Sequence, residues 1–265
     1  SALRRNTDAK AAIDVALHDL QAKAIGLPLY ALLGGLVRDE VQISRVLALK
    51  EPEKMAPNAL KLVEHGYSHI KVKLGGEPVK DLRRIKEIRK MVGEKIHLTV
   101  DANQTYSPKV AIDTLGRMEE YGVELCEQPV NKDDWQGLAA VTRSVDCLIE
   151  AHESALSVEN VYGLVKGRIV DSIFLDMGQV GGLRIAKIIA AICELGHVSP
   201  RVGTTGSRIL AAAALHFACS TPNIAPVCQI GEFSRLLNDP ACGLEVEDGR
   251  LKVPSTPGVG VSLRS

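Results

Sequence analysis

From about residue 41 onward, short runs of aliphatic and β-branched residues alternate with longer stretches whose apolar positions return every three or four residues. The short runs predict strands over 41–47, 69–74, 97–100, 123–127, 147–151, 172–176, 198–202 and 225–230. Helical spacing fills the gaps, as in 78–92, 108–121 and 183–195. Ahead of this series, apolar residues at helical spacing predict one more helix over 9–24, with a cap at Asn6 or Thr7 and an exit marked by Gly26 and Pro28. Eight strands alternating with helices predict an α/β fold, a TIM-like (β/α) barrel, over an antiparallel sandwich. A doubly wound open sheet would begin with a glycine-rich phosphate loop, and no GxGxxG follows any strand. The expected organisation is one domain over 1–265, with a lead-in helix and loop at 1–40, the barrel at 41–232 and a C-terminal segment at 233–265.

Polar residues punctuate this pattern with a step of their own. Lys73, Asp101, Glu127, His152 and Asp176 each close a strand-like run, at intervals of roughly 25 residues, close to the ~30 residues of one βα unit. Such a step delivers one polar side chain per unit to the same end of successive strands, the end at which barrels of this kind carry their active sites. Asp101 and Glu127 would converge as two anions in an apolar barrel mouth, an arrangement that calls for a cation between them. Hard oxygen donors suit Mg²⁺ or Mn²⁺. Pairing with the lysines of the second strand is the alternative. Lys71 and Lys73 alternate on their strand and so share a face. Ile70, Val72 and Leu74 fill the other face, which would pack on helices and leave the lysines inside. An amine crowded by a second cation loses proton affinity and acts as a base near neutral pH. A metal and a cation together stabilise the enediolate formed when a proton leaves the carbon next to a carboxylate.

Composition narrows the classes. Lys+Arg and Asp+Glu are 32 each, so no long-range field draws nucleic acid or an anionic membrane. No run of roughly 18 apolar residues is present for a membrane span. The first five residues lead straight into helical pattern with no signal-peptide core. The six cysteines show no CxxC pair and mostly sit in apolar runs, as reduced buried thiols do. A cytoplasmic protein is expected.

Several segments, in this order and spacing, resemble the mandelate racemase and muconate-lactonizing branch of the enolase superfamily. Ala11-Ala12-Ile13-Asp14-Val15-Ala16-Leu17-His18-Asp19-Leu20 and Gly26-Leu27-Pro28-Leu29-Tyr30-Ala31-Leu32-Leu33-Gly34-Gly35 resemble the lead into that family's barrel. Lys71-Val72-Lys73, Asp101-Ala102-Asn103 and Glu127-Gln128-Pro129 resemble its base and metal motifs, and Gly181-Gly182 and Pro257-Gly258-Val259-Gly260-Val261 fit as well. The resemblance covers nearly the whole chain. It implies Lys73 as acid and base on one face of the substrate, with Lys71 lowering its pKa and steadying the substrate carboxylate. Asp101 and Glu127 would hold Mg²⁺.

Two positions depart from that pattern. Where the family carries an acidic third ligand, often in Asp-Glu-Ser, this chain has Ala151-His152-Glu153-Ser154. His152 at the metal would favour Mn²⁺, Zn²⁺, Ni²⁺ or Fe²⁺ over Mg²⁺; Glu153 swinging in, or a weakened site, are the alternatives. At the end of the sixth strand stands Asp176, where the muconate-lactonizing and dipeptide-epimerase type has lysine and the racemase and sugar-acid dehydratase type has aspartate with a seventh-strand histidine. No histidine closes the seventh strand here. Asp176 is thus a second catalytic group or a partner in an ion pair. His65, His69, His97, His197 and His216 read as structural, Glu232 as a solvated rim charge, and Trp135 as a fluorescence reporter of binding.

The expected reaction is metal-dependent abstraction of a proton alpha to a carboxylate, by a racemase, epimerase or cycloisomerase. Dehydration of a hydroxy or sugar acid, and a non-catalytic relative with a degenerate metal site, are the alternatives. A small carboxylate substrate and a homo-oligomer, without nucleic acid or membrane, are the expected partners. The resemblance also implies an N-terminal capping domain that the chain as given does not include, since its pattern begins at the helix entering the barrel.

Overall fold

A computed structural model describes residues 6–264; the leader reading of residues 1–5 lies outside them. In chain order the elements are α1 (Thr7–Ala24), α2 (Leu29–Leu32), β1 (Glu40–Leu47), α3 (Pro52–Glu64), β2 (His69–Lys73), α4 (Pro78–Val92), β3 (His97–Asp101), α5 (Pro108–Glu119), β4 (Val123–Glu127), α6 (Trp135–Thr142), β5 (Leu148–Ala151), α7 (Val158–Lys166), β6 (Ser172–Asp176), α8 (Met177–Val180), α9 (Leu183–Leu195), β7 (Ser199–Gly203), α10 (Arg208–Ser220), β8 (Val227–Cys228), β9 (Ala241–Cys242), β10 (Arg250–Lys252) and β11 (Ser262–Leu263). They form two compact units, one of residues 44–155 and 159–174, the other of the remainder.

In the first unit, the second half of β1 is followed by β2, β3, β4, β5 and β6, each parallel to its predecessor. Ile70, Val72, Leu98, Val100, Cys126, Ile149 and Ile173 are sealed from solvent. Burying such a side chain stabilises by about 1.5–3 kcal/mol, and strands buried on both faces are what parallel sheets require. Helix starts are set locally. Proline stands in the first turn of α3, α4 and α5, where a missing N–H costs nothing and the fixed φ is already helical. Asp81, in the first turn of α4 and fully buried, ties this helix to the loops above it. It accepts from the Gly75 and Glu77 amides (2.8 and 2.9 Å), Arg84 Nη1 (2.5 Å) and Tyr106 Oη (2.7 Å).

In the second unit, the first half of β1 pairs in parallel with β8 and antiparallel with β10. The eighth strand is shorter than its apolar run predicts. Regular pairing covers only Val227–Cys228, with one further bridge from Gln229 to Gly203. The antiparallel β10, of three residues, carries too short an alternation to stand out in the sequence. α10 is buried along nearly its whole length. Within it His216 accepts from the Tyr30 amide through Nδ1 and meets the Val259 carbonyl through Nε2, both at 3.2 Å. Glu232 is buried and ion-paired to Arg235 at 3.0 Å, correcting its reading as a solvated rim charge: a short 3₁₀ turn folds it inward. Among the described residues no helix is long and apolar enough to cross a membrane.

Candidate active site

The parallel register of β2, β3 and β4 sets Lys73 beside Asp101 and Asp101 beside Glu127. Lys71, one turn of the pleat below Lys73, is 2% exposed. Its Nζ donates to Glu127 Oε2 at 2.5 Å, lies 3.1 Å from Asp101 Oδ2, and sits 4.8 Å from the centre of the Phe174 ring. Lys73 is 30% exposed and donates to Asp101 Oδ2 (2.6 Å) and Asn103 Oδ1 (2.7 Å). Two ammonium groups and two carboxylates thus meet at one rim and cancel in charge. The cation between Asp101 and Glu127 in this arrangement is a lysine.

His152, just past β5, completes the edge. Its Nδ1 donates to Glu127 Oε1 at 3.1 Å, and its ring stands edge-on to Phe174, 4.7 Å between centres. Burial opposes the charged imidazole most strongly, yet the hydrogen bond to Glu127 and the charges of Glu127 and Glu153 together raise its pKa above the usual histidine value.

Two residues outside the predicted set hold this geometry. Gln128, fully buried with φ 39, accepts from the His152 and Ser154 amides (3.0 and 3.1 Å) and donates to the Val130 carbonyl (3.1 Å) and Ser154 Oγ (2.9 Å). It therefore clamps the turn after β4 to the turn after β5. Asn103, at φ 45, donates its amide to Asp101 Oδ1 (3.0 Å) while its side chain accepts from Lys73 and reaches Glu153 Oε1 at 3.4 Å. The signal for both was a carboxamide just beyond a strand-ending carboxylate.

Asp176 lies in the other compact unit. It caps α8, accepting from the Gly178 and Gln179 amides at 3.0 and 3.1 Å, and lines a cavity of about 480 Å³ with Thr7, Asp8, Leu156, Gln179 and Thr205. Trp135 is half-buried at the start of α6, with its ring over Gly163. His69 and His97, which open β2 and β3, stack at 4.3 Å, at the opposite ends of their strands from Lys73 and Asp101.

The donor set suits a divalent cation in kind. Asp101 and Glu127 offer hard oxygens, and two atoms nearby, His152 Nε2 and Glu153 Oε2, are buried without a hydrogen-bond partner. Such atoms cost about 1–3 kcal/mol each unless a ligand satisfies them. Among the described residues no three histidine, cysteine or carboxylate side chains already surround one point, because the lysine ammonium groups stand between the carboxylates.

Comparison with known proteins identifies the family of the chain. Residues 54–265 match the family described as Enolase C-terminal domain-like, and residues 1–34 match the Mandelate racemase / muconate lactonizing enzyme, N-terminal domain. The chain is 35% identical to the L-Ala-D/L-Glu epimerase of Bacillus subtilis over 98% of its own length and 72% of that protein's. It is 36% identical to the chloromuconate cycloisomerase of Delftia acidovorans, over 99% and 72%. Among solved structures, the dipeptide epimerase from Enterococcus faecalis V583 complexed with Mg and dipeptide L-Leu-L-Tyr superposes with TM-score 0.94 at 35% identity, covering 99% of this chain and 74% of that one. The chain belongs to the mandelate racemase and muconate lactonizing enzyme family of the enolase superfamily, with that superfamily's (β/α) barrel fold. Within the family it is an isomerase of the racemase, epimerase and cycloisomerase kind.

Proposed function

We propose that the chain epimerises a small carboxylate such as a dipeptide or an N-acylated amino acid, with Lys73 as the group that takes the α-proton. One observation carries this reading: Lys71, Lys73, Asp101 and Glu127 converge at the ends of three adjacent strands. Lys73 is the more exposed lysine and the one a substrate can reach. In its amine form it accepts the proton from the α-carbon, the C–H electron pair moves into the carboxylate to give an enediolate, and epimerisation is completed when the opposite face of that carbon takes a proton from solvent. Lys71 remains an ammonium, held by Glu127 and the Phe174 ring, and opposes the build-up of negative charge. Asp101 and Glu127, with a third donor from the His152-Glu153 pair, would hold a divalent cation. When bound, that cation supplies Lewis-acid stabilisation of the substrate's carboxylate oxygens. Asn103 fixes the direction of the Lys73 amine. The dipeptide bound in the Enterococcus faecalis relative supports the substrate class.

Incubating dipeptides and N-acylated amino acids in D₂O with the protein and a divalent cation tests the reading. Deuterium is expected at the α-carbon, and Lys73→Ala should lower the exchange rate by about 10³-fold or more, the scale of a lost general base. Undiminished exchange in Lys73→Ala would remove the lysine from the chemistry.

A further inference from the structure

A lysine carries its ammonium on a long flexible stem, so the place where Lys71 holds its charge is decided by what surrounds Nζ. The carboxylates of β3 and β4 draw it one way, with Asp101 Oδ2 at 3.1 Å and Glu127 Oε2 at 2.5 Å. An aromatic ring on β6 draws it another. Phe174 is 3% exposed and presents its face to Lys71 Nζ at 4.8 Å from the ring centre. That lies inside the ~6 Å range over which the negative face of a ring attracts a cation, and the attraction is strongest where water is excluded. The same ring meets the His152 imidazole edge-on, at 4.7 Å and 63°, a favoured geometry for two rings.

The strands prepare this placement. Glu150 and Ser172 are register partners across β5 and β6. Both are buried, and Ser172 Oγ donates to Glu150 Oε1 at 2.9 Å. Phe174 stands two residues beyond Ser172 and so shares its face of the sheet. The hydroxyl–carboxylate bond therefore ties the two strands together just below the ring.

We propose that Phe174 is a positioning residue of the epimerisation: its ring face holds the Lys71 ammonium at a fixed point and keeps it from collapsing onto the two carboxylates. The inference rests on the reading of Lys73 as proton acceptor and Lys71 as standing cation, and adds the group that fixes the second. A charge set in place beforehand needs no rearrangement as negative charge builds on the substrate. Its loss therefore falls on kcat and leaves KM as it was.

The test replaces Phe174 in the full chain by mono-, di- and trifluorophenylalanine, a series that drains charge from the ring face and keeps its shape. In the dipeptide exchange assay in D₂O, kcat should fall stepwise, by about tenfold at the trifluoro ring, the rate equivalent of a buried cation–π contact. KM should stay constant. A second measurement needs no turnover. In a chain carrying ¹³C-lysine, the ring face should shift the Lys71 ε-methylene protons upfield, and Phe174→Leu should return them to the range of the other lysines. Equal kcat across the fluorinated series, a loss expressed in KM, or an ordinary Lys71 signal in the parent would each overturn the inference, while exchange by the parent leaves the functional reading standing. Absence of exchange in the parent would overturn both. Should the fluorinated chains not fold, the Lys71 signal of the parent decides the matter.

Discussion

Acidifying the solution from about pH 8 to about pH 5 protonates an ordinary histidine of the unfolded chain, whose pKa is near 6.5. His216 in the folded protein resists the same change. Burial, the largest cause, pushes its pKa down to about 4, against a smaller upward pull from the Val259 carbonyl and Asp19. A histidine lowered in this way favours the neutral form in the folded state. Its contribution is complete above about pH 6.5 and is lost as the pH falls through the window down to about 4. Linkage over that shift gives a loss of about 2 kcal/mol by pH 5 and about 3 kcal/mol once the window is crossed. The assay is urea unfolding at a series of pH values for the parent and His216→Gln, whose amide can still donate to the Val259 carbonyl but cannot titrate. Carboxylates elsewhere contribute equally to both proteins and cancel. The parent should lose about 2 kcal/mol more than the variant between pH 8 and pH 5. Parallel curves would refute the reasoning, showing that His216 protonates without cost inside α10.

Two further outcomes follow from the site. Lys71→Met should destabilise the protein by about 3–5 kcal/mol, the cost of leaving buried charges short of a partner; a divalent cation should raise its melting temperature more than it raises the parent's, as thermal unfolding with and without the ion will show. Gln128→Leu strips acceptors from the His152 and Ser154 amides and should lower stability by about 2–4 kcal/mol. Its α-proton exchange rate should fall while the Gln136→Leu control, at an exposed position of α6, leaves that rate alone.

What the sequence made legible was whatever depended on short-range periodicity. The strands at 123–127 and 172–176 and the helices at 78–92 and 183–195 match the structure residue for residue. Each is a run bounded by proline, glycine or a change of period. The convergence of Lys71, Lys73, Asp101 and Glu127 was legible too, because parallel register turns a regular spacing into proximity. What the spacing left open was the partner of each charge. Ion pairing by the second-strand lysines, weighed beside a metal, is the arrangement observed, since β2 lies directly against β3. Gln128 and Glu232 share one physical feature that the sequence hides. A polar residue just after a strand looks solvated in sequence, and only the left-handed turn at Gln128 and the 3₁₀ turn at Glu232 fold those side chains inward. The strand β8 is shorter than its apolar run because such a run reports burial, whereas ladder pairing with β1 extends over only two residues.

The lysines, the carboxylates, His152, Gln128, Asn103 and Phe174 all belong to the compact unit built from residues 44–155 and 159–174. Asp176 and the other residues lining its cavity, among them Gln179 and Thr205, belong to the other. The candidate site and the neighbourhood of Asp176 therefore belong to different compact units, with Leu156 of the Asp176 cavity drawn from the short link between the two stretches of the first. Substitution in the second unit leaves the pairs of Lys71 and Lys73 with Asp101 and Glu127 in place, since all four residues belong to the first.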